Sequence, residues 1–471
     1  MEEEVVALFL YSRFLSGYRY LQSLAKIKDT EEGMADSMEF GKASSYYEAL
    51  AIFALVLALI ILRRVRGRSF PIWTSMMLGA ALTIVFGIVP ITKAYEAIDF
   101  DVIFFLLGMF SIVAGMEKSG LLAYLTYRTL SSAKSLRSTL IIFVFMTGIL
   151  SAFVVNDTMA VMGTPIAITL VKQMGLPLET ILVVLAFSIT IGSVMTPMGN
   201  PQNILIASES GVKAPFLSFL SILAIPTLLN LAFVAILALF VLKGHQTRLD
   251  GRQIAVIAEE KVKSPSLARL SAASLFLAVG GFILNDLLSI LGLPHISHLG
   301  AIAFLASVPL YFLAEERREL LYSLDWSTIV FFISMFIVME GLWHSGAADL
   351  ILNFIPAPRP GDRVGSIVSL MLISLFLSQI FSNVPLVKLY VEVMKTLGFD
   401  GNHGYAWLAL AAGSTIAGNL TVLGAASNVI IVEASENRTG KSFSYIYFLK
   451  LGLVMTSVNA FTYTLWLILF A

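Results

Sequence analysis

Apolar runs of membrane-crossing length recur along almost the whole chain, and four polar stretches break into them. Ala49 to Leu62, Ile72 to Ile91 and Val102 to Met116 predict three spans. Gly120 to Ser138, with Lys118, Arg128, Lys134 and Arg137 around a Leu/Tyr face, is too polar to cross and predicts a surface helix. Thr139 to Val155 and Met159 to Val171 are apolar arms around a polar tip. At about 1.5 Å per residue each arm reaches roughly 20 to 25 Å, short of a hydrocarbon core of about 30 Å, which predicts a re-entrant hairpin. Thr180 to Ser208 reads as a span opened in its middle, because Gly192-Ser193 and Thr196-Pro-Met-Gly199-Asn200-Pro201-Gln202-Asn203 include two prolines that cannot donate backbone hydrogen bonds. Phe216 to Leu242 closes the set.

The second half repeats this plan at an offset of about 226 residues. Asp99, Ile103, Phe105, Met109, Phe110, Gly115, Ser119 and Gly120 meet Asp325, Ile329, Phe331, Met335, Phe336, Gly341, Ser345 and Gly346 without a gap. One residue further, Ser151 and Asn156 meet Ser378 and Asn383, and at about 225 Thr190, Thr196, Gly199 and Asn203 meet Thr415, Thr421, Gly424 and Asn428. Five crossings per copy, with the linker kept inside, turn the second copy over in the membrane. The expected fold is an all-α polytopic membrane protein of two inverted repeats, each with five transmembrane segments, one of them broken, plus a re-entrant hairpin. The expected divisions are an N-terminal extension, 1–45; a first repeat, 46–242, with hairpin 139–171 and broken helix 180–208; a cytoplasmic linker, 243–269; and a second repeat, 270–471, with hairpin 364–397 and broken helix 405–434.

Composition agrees with this class: 58% of residues are hydrophobic and only 13% charged. A formal net charge of +0 leaves no basic field for nucleic acid, and the absence of cysteine removes disulfides, thiolate metal sites and thiol catalysis. Charge placement sets orientation. The cluster Arg63-Arg-Val-Arg66-Gly-Arg68 and the linker residues Lys243, Arg248, Arg252, Lys261, Lys263 and Arg269 are expected in the cytoplasm, with both termini outside. Val5 to Tyr20, carrying Arg13 and Arg19, lacks the uninterrupted apolar region and cleavage site of a secretory signal and predicts an interfacial helix or a loose extension.

The four polar interruptions are where chemistry is expected. A hairpin tip and a broken helix both place helix ends inside the bilayer: N-terminal ends attract anions, while freed carbonyls with Ser, Thr and Asn oxygens suit a hard cation. The expected ligand set is Ser151, Asn156, Asp157 and Thr158 at the first tip, Thr196, Gly199, Asn200 and Asn203 at the first break, Ser382 and Asn383 at the second tip, and Asn419, Thr421, Gly424, Ser427 and Asn428 at the second break. Candidate sodium positions lie near Asn156, Asn200, Asn383 and Asn428. No arginine lies in these motifs, so an anion there meets dipoles and bound cations. Asp157 is the one tip carboxylate, with Val384 as its counterpart, and reads as a coupling carboxylate or a structural hydrogen-bonding group. Lys388 reads as a tethered cation or, preferentially, as a side chain snorkelling to the outer surface. Glu340 and His344 fit a solvated helix face, and Glu209 and Glu433 a loop or helix end.

With Asn156-Asp157, Gly199-Asn-Pro-Gln-Asn203 and Gly418-Asn419-Leu-Thr421-Val-Leu-Gly424-Ala-Ala-Ser-Asn428, the chain resembles the ion transporter superfamily of arsenite permeases, citrate and divalent-anion transporters and one type of sodium/proton antiporter. The first and third motifs are most similar to the arsenite-permease side, and the resemblance covers about residue 46 to the end. It implies a homodimer whose protomers each have a fixed scaffold and a mobile part that holds both hairpins and moves like an elevator. Sodium-coupled dicarboxylate members carry Ser-Asn-Thr at both tips, whereas these tips read Asn156-Asp157-Thr158 and Ser382-Asn383-Val384. The expected function is secondary active transport of a small anion, arsenite-like oxyanion or carboxylate, coupled to H+ or Na+ across the plasma membrane, without a cofactor. The alternative is a sodium/proton antiporter; a channel lacks a continuous polar lining, a receptor lacks a soluble module, and no nucleophile-and-base pattern suggests an enzyme.

Overall fold

The computed structural model describes residues 31–62, 64–65, 68–69, 71–133, 135–244, 262–348 and 357–471. The expected extension up to residue 30 and most of the expected linker, 245–261, lie outside the described residues. Among the described residues the regular structure is helical apart from a two-residue antiparallel pairing of β1 (Arg64–Val65) with β2 (Arg68–Ser69). In order the helices are α1 (Glu31–Leu62), α2 (Ile72–Val85), α3 (Ile91–Glu96), α4 (Phe100–Lys118), α5 (Leu121–Leu130), α6 (Leu136–Val154), α7 (Asn156–Met174), α8 (Leu178–Gly192), α9 (Pro201–Glu209) and α10 (Pro215–Val241). From residue 262 onward come α11 (Pro265–Ile290), α12 (Leu299–Leu313), α13 (Arg317–Tyr322), α14 (Trp326–His344), α15 (Arg363–Phe381), α16 (Asn383–Thr396), α17 (Gly404–Ile416), α18 (Ala426–Thr439) and α19 (Tyr445–Phe470). Among the described residues 8 helices are long and apolar enough to cross a membrane. The protein is an all-α polytopic membrane protein.

Local chemistry places the helix ends. Asp99 caps α4 by accepting from the amides of Asp101 and Val102, and Asp325 caps α14 by accepting from Thr328 N. Both helices finish at a serine followed by glycine at φ 76°, Gly120 and Gly346, a backbone conformation that side chains resist. These pairs stand about 226 residues apart and do the same local work. Two boundaries differ from the sequence reading. The second apolar run is not one helix: α2 stops at Val85, and Gly87 at φ 68° turns the chain before α3. Helix α11 begins at Pro265, inside the expected linker, because Ser264 accepts from Leu267 N and proline suits a first helical position.

The arms around the first tip are also longer than their apolar runs. Helices α6 and α7 have 19 residues each, about 28 Å at 1.5 Å per residue. Shortness alone therefore does not make the arms re-entrant. At the second tip α15 spans 19 residues and α16 spans 14.

Contacts sort the helices into two groups. One holds α1, α2, α4, α11, α12 and α14; the other holds α6 to α10 and α15 to α19. Each group is drawn together by small residues, as lipid supplies no hydrophobic drive between helices. A Cβ on Gly108 of α4 would stand 2.4 Å from the backbone of Ala303 in α12. In the second group a Cβ on Gly192 of α8 would stand 1.9 Å from the carbonyl oxygen of Gly148 in α6.

Backbone cannot yield as a side chain can, so Gly192→Ala is expected to lower stability by about 2 kcal/mol or more. Gly280→Ala in α11, where nothing lies within 4 Å of the added carbon, should be neutral or gain roughly 0.5 to 1 kcal/mol of helix propensity. Thermal unfolding in detergent distinguishes them; equal Tm values for the two variants would contradict the close approach of α6 and α8.

Candidate ion and solute site

Each polar tip is a single residue between two helices. Val155 (φ 66°, ψ 131°) joins α6 to α7, and Ser382 (φ 66°, ψ 158°) joins α15 to α16. Positive φ is unfavourable for a residue with a Cβ, most of all a β-branched one, and costs about 1–3 kcal/mol per position. Both joints, about 227 residues apart, bear it. Helices restart at once at Asn156 and Asn383, and neither start has a side-chain cap, so their first-turn N–H groups are offered at the tip.

The breaks open through short 3-10 turns, Ser193–Met195 and Pro197–Gly199 in the first and Ala417–Asn419 and Val422–Gly424 in the second. One asparagine amide braces each. Asn203 Nδ2 donates to the carbonyls of Ser193 (3.1 Å) and Thr196 (3.1 Å), and Asn428 Nδ2 donates to those of Gly418 (2.7 Å) and Thr421 (3.3 Å). Gly199 and Gly424 fold tightly over these turns: a Cβ would lie 2.2 Å from Ser193 O in the first and 2.8 Å from Ala417 O in the second.

Tips are pinned to breaks. Ser151 Oγ donates to Ile189 O at 2.7 Å, and Thr196 Oγ1 donates to Ala152 O. In the second half Thr421 Oγ1 donates to Gln379 Oε1 (2.7 Å), and Gln379 Nε2 reaches Ala417 O (2.9 Å). Positions 152 and 196 thus meet in one half as 379 and 421 do in the other, by backbone in the first and by side chain in the second. The halves also cross at Thr415, whose Oγ1 accepts from Asn200 Nδ2 (3.1 Å) and Gln202 Nε2 (3.4 Å) and donates to Asn203 Oδ1 (3.3 Å).

The expected site residues therefore divide. Ser151, Thr196, Asn200 and Asn203 are engaged in bracing: Asn200 Nδ2 also donates to Ser193 O and Oγ at 3.2 Å, and its Oδ1 accepts Asn203 N at 2.9 Å, capping α9. In contrast, Asn156 Oδ1, Asn383 Oδ1, Ser427 Oγ, Asn428 Oδ1 and Asn419 Oδ1 are buried without a hydrogen-bond partner, as is Ser378 Oγ, the counterpart of Ser151. Buried polar atoms are nearly always paired, so this concentration of free oxygens is the outstanding feature of the region. The start of α18, preceded by Ala425, has no side-chain cap either. Asp157 and Thr158 are half-buried on the first turn of α7, which packs against α18. Asp157 makes no hydrogen bond or ion pair with any described residue.

Three residues with structural weight were not singled out from sequence. Gln379 follows Ser378, Gln202 lies between Asn200 and Asn203, and Thr415 is visible in the sequence only as the match of Thr190. Glu209 closes α9, at the helix end expected of it, and Lys388 is paired with it. Lys388 Nζ binds Glu209 Oε1 (2.7 Å) and Glu392 Oε1 (2.8 Å), and Lys395 Nζ binds Glu209 Oε2 (2.6 Å). Side chains of Lys388 and Glu209 are only 13% and 11% exposed, so Lys388 does not snorkel; it ties α16 to α9. His344 is exposed and Glu340 half-buried, in keeping with a solvated face, whereas Glu433 lies exposed in the middle of α18 and not at the expected loop or helix end.

A family model described as citrate transporter (CitMHS) matches residues 56–413. An uncharacterized transporter of Mycobacterium tuberculosis is 26% identical over 430 residues, 87% of this chain and 95% of that protein. The P protein of Homo sapiens is 25% identical over 490 residues, covering 87% of this chain and 58% of that protein. Among solved structures, MtrF of Neisseria gonorrhoeae, described within a class of antimetabolite efflux pumps, aligns with a TM-score of 0.53 at 14% identity over 91% of this chain and 95% of its own. The YdaH transporter of Alcanivorax borkumensis aligns with the same score and identity over 91% and 98%. At that identity the likeness is one of fold.

Removing one member of the buried ionic cluster strands the others. Glu209→Gln is expected to cost on the order of 3 kcal/mol, and Glu209→Gln with Lys388→Gln less than the sum of the two singles. Unfolding midpoints of the four proteins form the test; additivity within about 0.5 kcal/mol would mean that the two residues do not act as a pair.

Proposed function

This chain belongs to the citrate transporter family and is a membrane transporter, and from that premise we propose secondary active transport of a small anion, an arsenite-like oxyanion or a carboxylate, coupled to protons or sodium. The observation that carries the reading is the set of buried, unpartnered oxygens on Asn156, Ser378, Asn383, Ser427 and Asn428 beside three uncapped helix starts. Oxygens without donors suit a hard cation, and free first-turn N–H groups suit an anion. Bound together, the two charges neutralise one another without a fixed arginine, so the solute can also be released.

Alternating access by an elevator motion, in a homodimer of inverted repeats, belongs to the same proposal. It draws on the sorting of helices into two groups, only one of which holds both tips and both breaks. Depth supports re-entrant tips: the first tip is pinned to a break that has α8 on one side and α9 on the other. Orientation with both termini outside is supported by pairs that the charge rule assigns to one side. Ser119 O accepts from Lys263 N and Ser264 Oγ meets Glu316 on the inner side; Asp101 meets Ser208 and Gly300 N, and Glu209 meets Lys395, on the outer side.

Asp157, without a partner among the described residues, is the candidate proton carrier. Sealed proteoliposomes with a trapped pH dye test the reading through a sodium pulse followed by arsenite, phosphate and dicarboxylate pulses. Flux to one anion, with its proton component lost in Asp157→Asn, is the expected result. A sodium-evoked proton flux without any anion, lost in the same variant, would replace the anion carrier by a sodium/proton antiporter.

A further inference from the structure

A second polar structure lies behind the second break, on helices that the sequence motifs do not reach. Asn419 Nδ2 donates to Asn459 Oδ1 (3.1 Å), Asn459 Nδ2 donates to Asn230 Oδ1 (2.8 Å), and Asn230 Nδ2 donates to the carbonyl of Pro226 (2.9 Å). All three asparagines are 0% exposed. Asn230 lies on α10 and Asn459 on α19, the last helix of each half, and each stands three residues after a threonine, Thr227 and Thr456. One end of the row is a main-chain carbonyl. The other is Asn419 Oδ1, buried and without a donor.

The direction of donation matters. Each amide gives its N–H away from the break and presents its oxygen toward it, and donation through Nδ2 enriches the oxygen of the same amide. Linked amides polarise one another in a low-dielectric interior, so the terminal oxygen of the row is the most electron-rich. Helix α19 is held against the break by Gly452, where a Cβ would meet Asn419 O at 2.3 Å, so the row has little freedom to shift. We propose that Asn230 and Asn459 are positioning residues for cation binding: they orient and polarise Asn419 Oδ1 as a ligand beside Ser427 and Asn428. This rests on the cation-coupled reading above. It adds that the last helix of the first half tunes a site built in the second.

Sodium-dependent thermal stabilisation of the purified full chain, titrated against choline at constant ionic strength, tests the relay without transport. The series is wild type, Asn459→Leu, Asn459→Ser, Asn230→Leu and Thr227→Val. Thr227→Val removes the bond to Tyr463 OH between the same two helices and replaces none of the three amides. Sodium affinity is expected to fall at least tenfold in both Asn459 variants, by less in Asn230→Leu, and to stay within twofold in Thr227→Val. Unchanged affinity in either Asn459 variant, or an equal loss in Thr227→Val, would overturn the positioning role. Absence of sodium stabilisation in the wild type would instead defeat sodium coupling itself, and the relay with it.

Discussion

A helix opened inside an apolar slab must find hydrogen-bond partners for the carbonyls it frees, and here side-chain amides do so, Asn203 with Asn200 at the first break and Asn428 with Gln379 at the second. Water is not at hand to do it, and an unpaired backbone group in hydrocarbon costs several kcal/mol. Asn203 and Asn428 meet this demand at matching carbonyls. With the breaks stable, the tips have something rigid to lean on: Ser151 and Thr196 fasten the first, Gln379 and Thr421 the second. Strain at Val155 and Ser382 is then held by surrounding bonds rather than relaxed.

Similar plans have been spent differently in the two halves. In the first half Asn200 caps α9 and reaches across to Thr415 of the second, and Ser151 is bonded. The second half keeps its corresponding atoms free: Ala425 stands where Asn200 does and cannot cap, and Ser378 Oγ has no partner. Bonded and free oxygens thus stand together in one region, Asn156 Oδ1 of the first half being free as well.

Basic side chains near this region are paired. The lysines and glutamates of α9 and α16 neutralise one another in a buried cluster, so no fixed cation competes with a mobile one at the tips. Local fields there come from helix ends, amides and Asp157. Such fields are strong enough to bind in a low dielectric and weaker than a permanent ion pair, as turnover requires.

Long apolar runs, proline and glycine interruptions and a near-constant offset made the helical class, the two tips and the two breaks legible in the sequence, because each depends on local periodicity or on residues that cannot stay helical. Asp99, Asp325, Gly120 and Gly346 could be matched in advance for the same reason. Which asparagine braces and which faces the opening was not legible, since Asn200, Asn203, Asn383 and Asn428 are chemically identical until neighbours are assigned. Lys388 was misplaced because its partner, Glu209, is distant in sequence, and Asn230 and Asn459 passed unnoticed within apolar helices. The chain alone determined that polar groups had to be buried in the membrane and where along it they occur. Tertiary structure decided which of them satisfy one another, because pairing of buried donors and acceptors is set by packing across the fold and not by order along the chain.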